Sequence, residues 1–392
     1  MSISKKVDAI IKKSSWIRKM FEEGMKLKSI YGEDNVFDFS LGNPSIDPPE
    51  KFKKVITDIV SDMSGPHGYM PNTGYPSVRK AVADYISKEQ NIDADANDII
   101  MTCGAAGGLN IIFKAILDSG DEVVTPAPYF VEYNFYTDNH GGVLKTAATN
   151  EDFTLNTDAI ASAITDKTKA VLINSPHNPT GQVYSEASLK ELGNLLKEKS
   201  AQYGKIIYLI SDEPYRKLVF NNIKVPSIFD FYKNSIMTTS YSKDLSLAGE
   251  RLGFTVISPK AELKEEVLSG MALANRILGY VNAPSLIQLV AARLQGESAD
   301  ISEYERKKVI FCEGLKKAGY EFIEPAGTFY IFPKSPIKDD AEFVSELQKE
   351  KILVVPGSGF GGPGYFRIAF CVSDKTIINA LPGFERAMKK YR

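Results

Sequence analysis

Apolar residues fall into short unbroken runs along the middle of the chain, separated by stretches with helical spacing. The runs DIIMTC (98–103), EVVTP (122–126), KAVLIN (169–174), KIIYLIS (205–211) and SIMTTS (235–240) read as strands. Between them lie helix-like segments: Ser77 to Gln90, Leu109 to Leu117 after a glycine-rich turn, and 188–200, where Leu189, Leu192 and Leu196 share one face. Nearly continuous apolar strands alternating with helices predict a parallel sheet buried on both faces. After about residue 300 the pattern changes. A charged helix from Glu303 to Gly319 precedes strand-like EFIE and TFYIF, another helix, then ILVV and YFRIAF, which predicts a second, smaller α+β domain. The first thirty residues are lysine-rich, with Trp16, Ile17, Met20 and Phe21 spaced for one apolar face. Acidic residues interrupt the polar face, so packing on a core fits better than lying on a membrane.

Composition narrows the class. At about 150 residues per domain, 392 residues leave room for two or three domains. Hydrophobic residues make up 43% and charged residues 24%, which excludes a disordered or fibrous chain. A net charge of −2 with mixed signs argues against nucleic acid or an anionic membrane as the main partner. Three scattered cysteines (Cys103, Cys312, Cys371) and three histidines (His67, His140, His177) form neither a disulfide framework nor a metal-ligand spacing. They fit a reducing compartment. No signal peptide and no bilayer-spanning run is evident, so a cytoplasmic protein is expected.

In open α/β sheets ligands gather beyond the carboxyl ends of the strands, so the polar residues after each strand are the candidates. Lys243 follows SIMTTS, with Ser240 and Ser242 beside it and Arg251 downstream. A lysine near a cation holds its proton weakly, which suits Schiff-base chemistry, and the serines and arginine can hold a phosphate. A solvated surface lysine reads the same in isolation. Asp212 ends KIIYLIS and Tyr215 follows in DEPY. A carboxylate there is costly unless it is hydrogen-bonded or meets a cation such as a protonated pyridine nitrogen; a helix-capping aspartate is the plainer alternative.

Asn178, in INSPHNPTG, can donate to a phenolate-type oxygen or simply form an Asn-Pro turn, and His177 beside it reads as structural. In MTCGAAGGLN, Gly104, Ala105 and Ala106 can present backbone N–H groups to a phosphate, or serve tight packing. Phe130 can stack on a flat ring or fill the core. Arg367, inside the alternating strand YFRIAF, needs a carboxylate, either a substrate's or a salt-bridge partner's. GSGFGG matches G-x-G-x-x-G, but Pro363 and a strand follow it where a dinucleotide site needs a helix; it reads as a loop near the ligand mouth.

Together these segments resemble the aspartate aminotransferase superfamily of pyridoxal-phosphate enzymes, the class I/II aminotransferases of fold type I. The resemblance runs from LGNP (41–44) to FRIAF (366–370) and rests on NPTG, SDEPY, SYSK, Arg251 and Arg367 in that order. It implies an α/β fold: a large cofactor-binding domain at 46–290 with a mostly parallel seven-stranded sheet between helices. A smaller α+β domain is implied from 1–45 and 291–392.

The resemblance also implies roles. Lys243 looks like the lysine of the internal aldimine, which shuttles the substrate's α proton. Asp212 is similar to the aspartate that pairs with the pyridinium nitrogen, and Tyr215 and Asn178 to the groups on the ring's phenolic oxygen. Gly104, Ala105, Ala106, Ser240, Ser242 and Arg251 match the phosphate cup, and Phe130 the stacking aromatic. Gly42, Asn178 and Arg367 resemble the site for the substrate's α-carboxylate. Tyr69 is similar to the tyrosine that reaches a neighbouring subunit's phosphate, which implies a homodimer with shared active sites.

The activity implied is ping-pong transfer of an amino group between an L-amino acid and a 2-oxo acid, with aspartate, alanine or aromatic donors and 2-oxoglutarate. Where one aspartate-specific branch carries a lysine for the distal carboxylate, this chain has Ala106; Arg276, from a partner subunit, is the alternative reader, against a surface arginine. Beta C–S lyases and 1-aminocyclopropane-carboxylate synthases share the same cofactor contacts. A ligand-sensing domain of a transcription regulator needs more chain before LGNP.

Overall fold

The computed structural model describes residues 2–12, 16–62 and 67–391. At its centre stands a seven-stranded sheet: β1 (Ile99–Thr102), β2 (Glu122–Ala127), β3 (Val143–Ala148), β4 (Thr168–Asn174), β5 (Tyr208–Asp212), β6 (Ser235–Ser240) and β7 (Gly253–Ile257). The spatial order is β1-β7-β6-β5-β4-β2-β3. Only β7 runs against its neighbours; the rest is parallel, as expected from strands whose residues are buried on both faces. Asn174 lies opposite Asp212, and Asp212 opposite Thr238, so β4 and β5 end level, β6 runs two residues further, and all three deliver polar residues to the same edge.

Three local expectations are corrected, and an edge strand is added. The glycine-rich stretch after β1 is not a turn but the opening of a helix, Gly104–Ile116. Its glycines serve contact: a Cβ on Gly108 would overlap the Thr238 side chain of β6. Residues 205–207 lie outside the strand, which begins at Tyr208; the Ile207 N–H is bonded to Ser200 Oγ instead of to a ladder. EFIE (321–324) is exposed connection, with Glu324 paired to Lys316. The strand β3 had no apolar run to announce it, because it is the sheet edge and mostly exposed.

A second core joins the two ends of the chain. Met20 and Phe39 pack with Phe311, Phe329, Phe343 and Phe384, and the Phe39 and Phe311 rings lie 5.0 Å apart. Phe37–Asp38 pairs in parallel with Ile352–Leu353, beside a three-stranded antiparallel sheet of Val355–Pro356, Phe366–Ala369 and Tyr330–Ile331. Three helices support it: Ile301–Ala318, Asp340–Lys349 and Asp374–Lys389. The first and second start at aspartate caps, where Asp300 accepts the Ser302 N–H and Asp339 accepts those of Ala341 and Glu342. The N-terminal segment forms helices Lys5–Lys12 and Trp16–Tyr31, and Met20 is buried; the side chains of Trp16, Ile17 and Phe21 lie outside the described residues. GSGFGG forms a short 3-10 turn over Gly357–Phe360 that carries the Phe360 ring into this core. Among the described residues, no helix is long and apolar enough to cross a membrane.

Candidate active site

Beyond the carboxyl ends of β4, β5 and β6 lies a cavity of about 330 Å³. Gly42, Ala105, Ala106, Phe130, Asn178, Asp212, Tyr215, Ser240, Ser242, Lys243, Arg251 and Arg367 all line it. Residues spread over most of the chain are thus brought into one small volume.

Asp212 is 5% exposed. Its Oδ2 accepts a hydrogen bond from Tyr133 Oη at 2.7 Å, while Oδ1 is buried with no partner among the described residues. Burial pushes the carboxyl up to about 7, the Tyr133 bond pulling the other way. No helix starts here, so capping does not explain it. A desolvated carboxylate with one oxygen orphaned is shaped for a cationic N–H donor.

Asn174 Nδ2 donates to the Asp212 carbonyl at 2.7 Å, and its Oδ1 accepts the Asn178 N–H at 2.7 Å, fastening the NPTG turn to the end of β5. Asn178 Oδ1 in turn accepts from Arg367 Nη1 at 3.1 Å. An arginine can only donate, so the amide oxygen faces Arg367 and the amide nitrogen is turned the other way. His177 is buried, with Nδ1 2.8 Å from Thr180 Oγ1, and burial lowers it to about 3, which leaves a neutral structural imidazole.

Arg367 is 2% exposed. Its Nη2 donates to the Ser40 carbonyl at 2.7 Å, and Nε has no partner among the described residues. The guanidinium is held between the Tyr330 and Phe360 rings, 4.5 and 4.6 Å from their centroids. Among the described residues it meets no carboxylate, its partners being Asn178 and the Ser40 carbonyl, so a fork remains for an anion. Tyr330 also sets Tyr215, their hydroxyls 3.0 Å apart.

Lys243 Nζ donates to the Gly42 carbonyl at 2.7 Å. Burial lowers it to about 8, helped by the charges of Arg367 and Arg251 and opposed by the Cys371 thiol. A substantial neutral fraction near neutral pH is what a nucleophilic amine needs. A Cβ on Gly42 would overlap the Tyr330 hydroxyl, so this close approach requires glycine.

At the other end of the cavity the first turn of helix Gly104–Ile116 leaves N–H groups free of helical partners. Arg251, in the left-handed region at φ 52°, comes close to Gly104, where an added Cβ would lie 3.1 Å from Nη2. Ser240 and Ser242 complete a cluster of donors suited to a dianion.

Three expected residues are absent from the lining: Gly104, which lies beside Arg251, and Tyr69 and Arg276, of which Tyr69 is 96% exposed and Arg276 is exposed. The segments that carry Tyr69 and Arg276 are nevertheless tied together. Asn275 Nδ2 donates to the Asn72 carbonyl at 2.6 Å and Asn282 Nδ2 to that of Pro71 at 2.8 Å, so the loop after Tyr69 is fastened to the end of the Arg276 helix. Tyr133, Tyr330, Phe360, Ser40 and Glu132 escaped the sequence reading. Tyr133 sits near Phe130 in APYFVEY and Tyr330 in the strand-like TFYIF, but nothing local in those strings separates a site tyrosine from a core one.

The sequence profile of aminotransferase class I and II matches residues 34–383. The chain belongs to this aminotransferase family. Aspartate aminotransferase of Pyrococcus abyssi is 31% identical over 100% of this chain and 99% of its own. Aromatic-amino-acid aminotransferase 2 of Thermococcus litoralis is 30% identical, with the same coverage. Among solved structures, an amino transferase of Eubacterium rectale superposes with a TM-score of 0.97 at 39% identity, covering 100% of both chains. The enzyme moves an amino group between an L-amino acid and a 2-oxo acid.

Proposed function

We propose that this aminotransferase works with pyridoxal 5′-phosphate held in the 330 Å³ cavity, on aspartate, alanine or aromatic donors with 2-oxoglutarate as acceptor. The observation that carries the cofactor assignment is the buried, unpartnered Asp212 Oδ1, which fits a protonated ring nitrogen. The free N–H groups around Ala105 and Ala106, with Ser240, Ser242 and Arg251, fit its phosphate, and Phe130 fits the ring face. The names of the curated relatives support the donor class.

When bound, the cofactor supplies an electron sink for the pair left at the substrate's α carbon. The chain's own residues do the rest. Arg367 binds the α-carboxylate with its guanidinium fork, oriented by Asn178 and clamped by Tyr330 and Phe360. Lys243 Nζ, with its proton weakly held, takes the proton from the α carbon. Asp212 holds a positive charge opposite Oδ1, with Tyr133 fixing the carboxylate's orientation. Tyr215 and the Asn178 amide nitrogen are the donors for a phenolic oxygen. The two half-reactions use the same groups in opposite directions.

A homodimer with shared sites belongs to the same reading. It is supported by the exposed face that carries Tyr69 and Arg276 together with exposed Leu273 and Ile277. The free thiols Cys103, Cys312 and Cys371 support a reducing, cytoplasmic setting.

The test is an absorbance titration of the purified holoenzyme with L-alanine, L-aspartate and L-phenylalanine, with Lys243→Ala as control. Donors are expected to bleach the cofactor band of the wild type, with turnover in the variant lower by at least about a thousandfold. If no donor bleaches it while cystathionine releases pyruvate and ammonia, the enzyme is a C–S lyase.

A further inference from the structure

Tyr330 lies opposite Ala369, and so diagonal to Arg367 on the neighbouring strand. Residues two apart on a strand share a face, which delivers the Tyr330 ring onto the Arg367 guanidinium, 4.5 Å from its centroid. The far end of the same ring reaches the cofactor side of the cavity. Its hydroxyl is 3.0 Å from that of Tyr215, which stands in the turn after β5. The hydroxyl has little room to swing away, because it is packed against Gly42, where an added Cβ would overlap it. Both tyrosines are buried within this one chain. Burial raises both above the ordinary tyrosine range, so each keeps its hydrogen near neutral pH.

Two hydroxyls at this distance share one hydrogen bond, and either can donate it. Each phenol has a single hydrogen to give. Once Tyr215 spends its hydrogen on a phenolic oxygen in the cavity, it has none for Tyr330, and the 3.0 Å contact becomes a donation from Tyr330. A hydroxyl that accepts one hydrogen bond donates a stronger one. We propose that Tyr330 is a positioning residue for the cofactor: its hydroxyl donates to Tyr215 Oη and turns the one Tyr215 hydrogen toward the phenolic oxygen. One side chain thereby serves both ends of the site, its face holding Arg367 for the substrate's carboxylate and its hydroxyl backing the cofactor's donor. The assignment rests on the reading of the cavity as a pyridoxal-phosphate site.

The experiment measures dissociation constants of pyridoxal 5′-phosphate and of its 3-deoxy analogue, which lacks the phenolic oxygen, for the cofactor-free wild type and Tyr330→Phe. The substitution keeps the ring over Arg367 and removes only the hydroxyl. It is expected to weaken pyridoxal phosphate by about three- to tenfold and to leave the analogue within about twofold. Tyr330→Leu removes the ring as well, and its holoenzyme is expected to bind maleate at least about fivefold more weakly than the Tyr330→Phe holoenzyme does. Equal weakening of cofactor and analogue in Tyr330→Phe marks a merely structural hydroxyl, and weakening of neither shows that Tyr330 does not donate to Tyr215; each overturns the proposal. Equal maleate affinities in the two variants overturn the division of roles between ring and hydroxyl. A wild type that binds cofactor and analogue equally shows that nothing serves the phenolic oxygen, so the reading of Tyr215 fails before this one.

Discussion

The central sheet has a cavity at each end, and the two could hardly differ more. At the amino ends of β4, β5 and β6 is a cavity of about 1420 Å³ lined by Lys169, Lys197, Lys205, Lys233, Glu262 and Glu266. Its charges are at least partly hydrated: Lys233 and Glu262, 3.1 Å apart, are both about half exposed, as surface pairs commonly are. The cavity at the carboxyl ends has less than a quarter of that volume, yet it contains Asp212 and Arg367, nearly buried and each with an unpartnered polar atom. Capacity for chemistry follows desolvated, incompletely paired charge rather than space. The charges of the larger cavity face solvent and one another.

The sharpest way to break this contrast is Asp212→Asn, which keeps the shape and removes the charge. Loss of this electrostatic partner is expected to lower kcat by roughly a thousandfold, measured as steady-state amino transfer with the cofactor in excess. A loss below tenfold would mean that the orphaned oxygen has no bearing on the reaction.

A smaller effect appears in stability. In the cofactor-free protein the Asp212 carboxyl titrates at about 7 against an ordinary value of 3.8, so the folded state holds a proton that the unfolded chain releases. Stability from this group is therefore full below pH 3.8 and lost as pH rises toward 7. Lys243, lowered to about 8, carries a constant penalty across that window, relieved only above pH 8. The difference in Tm between wild type and Asp212→Asn should shrink or turn against the wild type from pH 5 to pH 8. A pH-independent difference would show that Asp212 is already paired.

The smallest effect is expected at the other end of the sheet. Lys197→Ala should leave kcat/KM unchanged and stability within about 0.5 kcal/mol; a loss of activity would make the large cavity functional.

What the sequence made legible was whatever the backbone order alone could place. The strands β4, β5 and β6 are apolar runs that stop at polar residues, so Asn178, Asp212 and Ser240 fall at one edge on the sequence alone. Spacing could not show what packs on them. Gly107 and Gly108 resembled a turn because glycine marks both loose chain and tight contact, and only the Thr238 side chain pressed against Gly108 separates the two. Tyr133 and Tyr330 come to the site through bonds to distant residues, Asp212 and Tyr215. Glu132 lines the cavity, but no motif in the sequence separates it from a surface glutamate. Tyr69 and Arg276 were singled out through the resemblance, and their exposure on one surface follows from contacts between loop and helix that lie more than 200 residues apart.

The main chain from Ser40 to Gly42 has a mechanical consequence. It belongs to the N-terminal segment, yet its carbonyls grip the guanidinium of the C-terminal strand and the ammonium beyond β6. These carbonyls are dipoles, so they restrain both cations without cancelling their charge. A carboxylate arriving at Arg367 displaces a weaker rival, and the exchange is downhill. Both cations lean on one short stretch of main chain, so whatever displaces Ser40–Gly42 is felt at Arg367 and at Lys243 together.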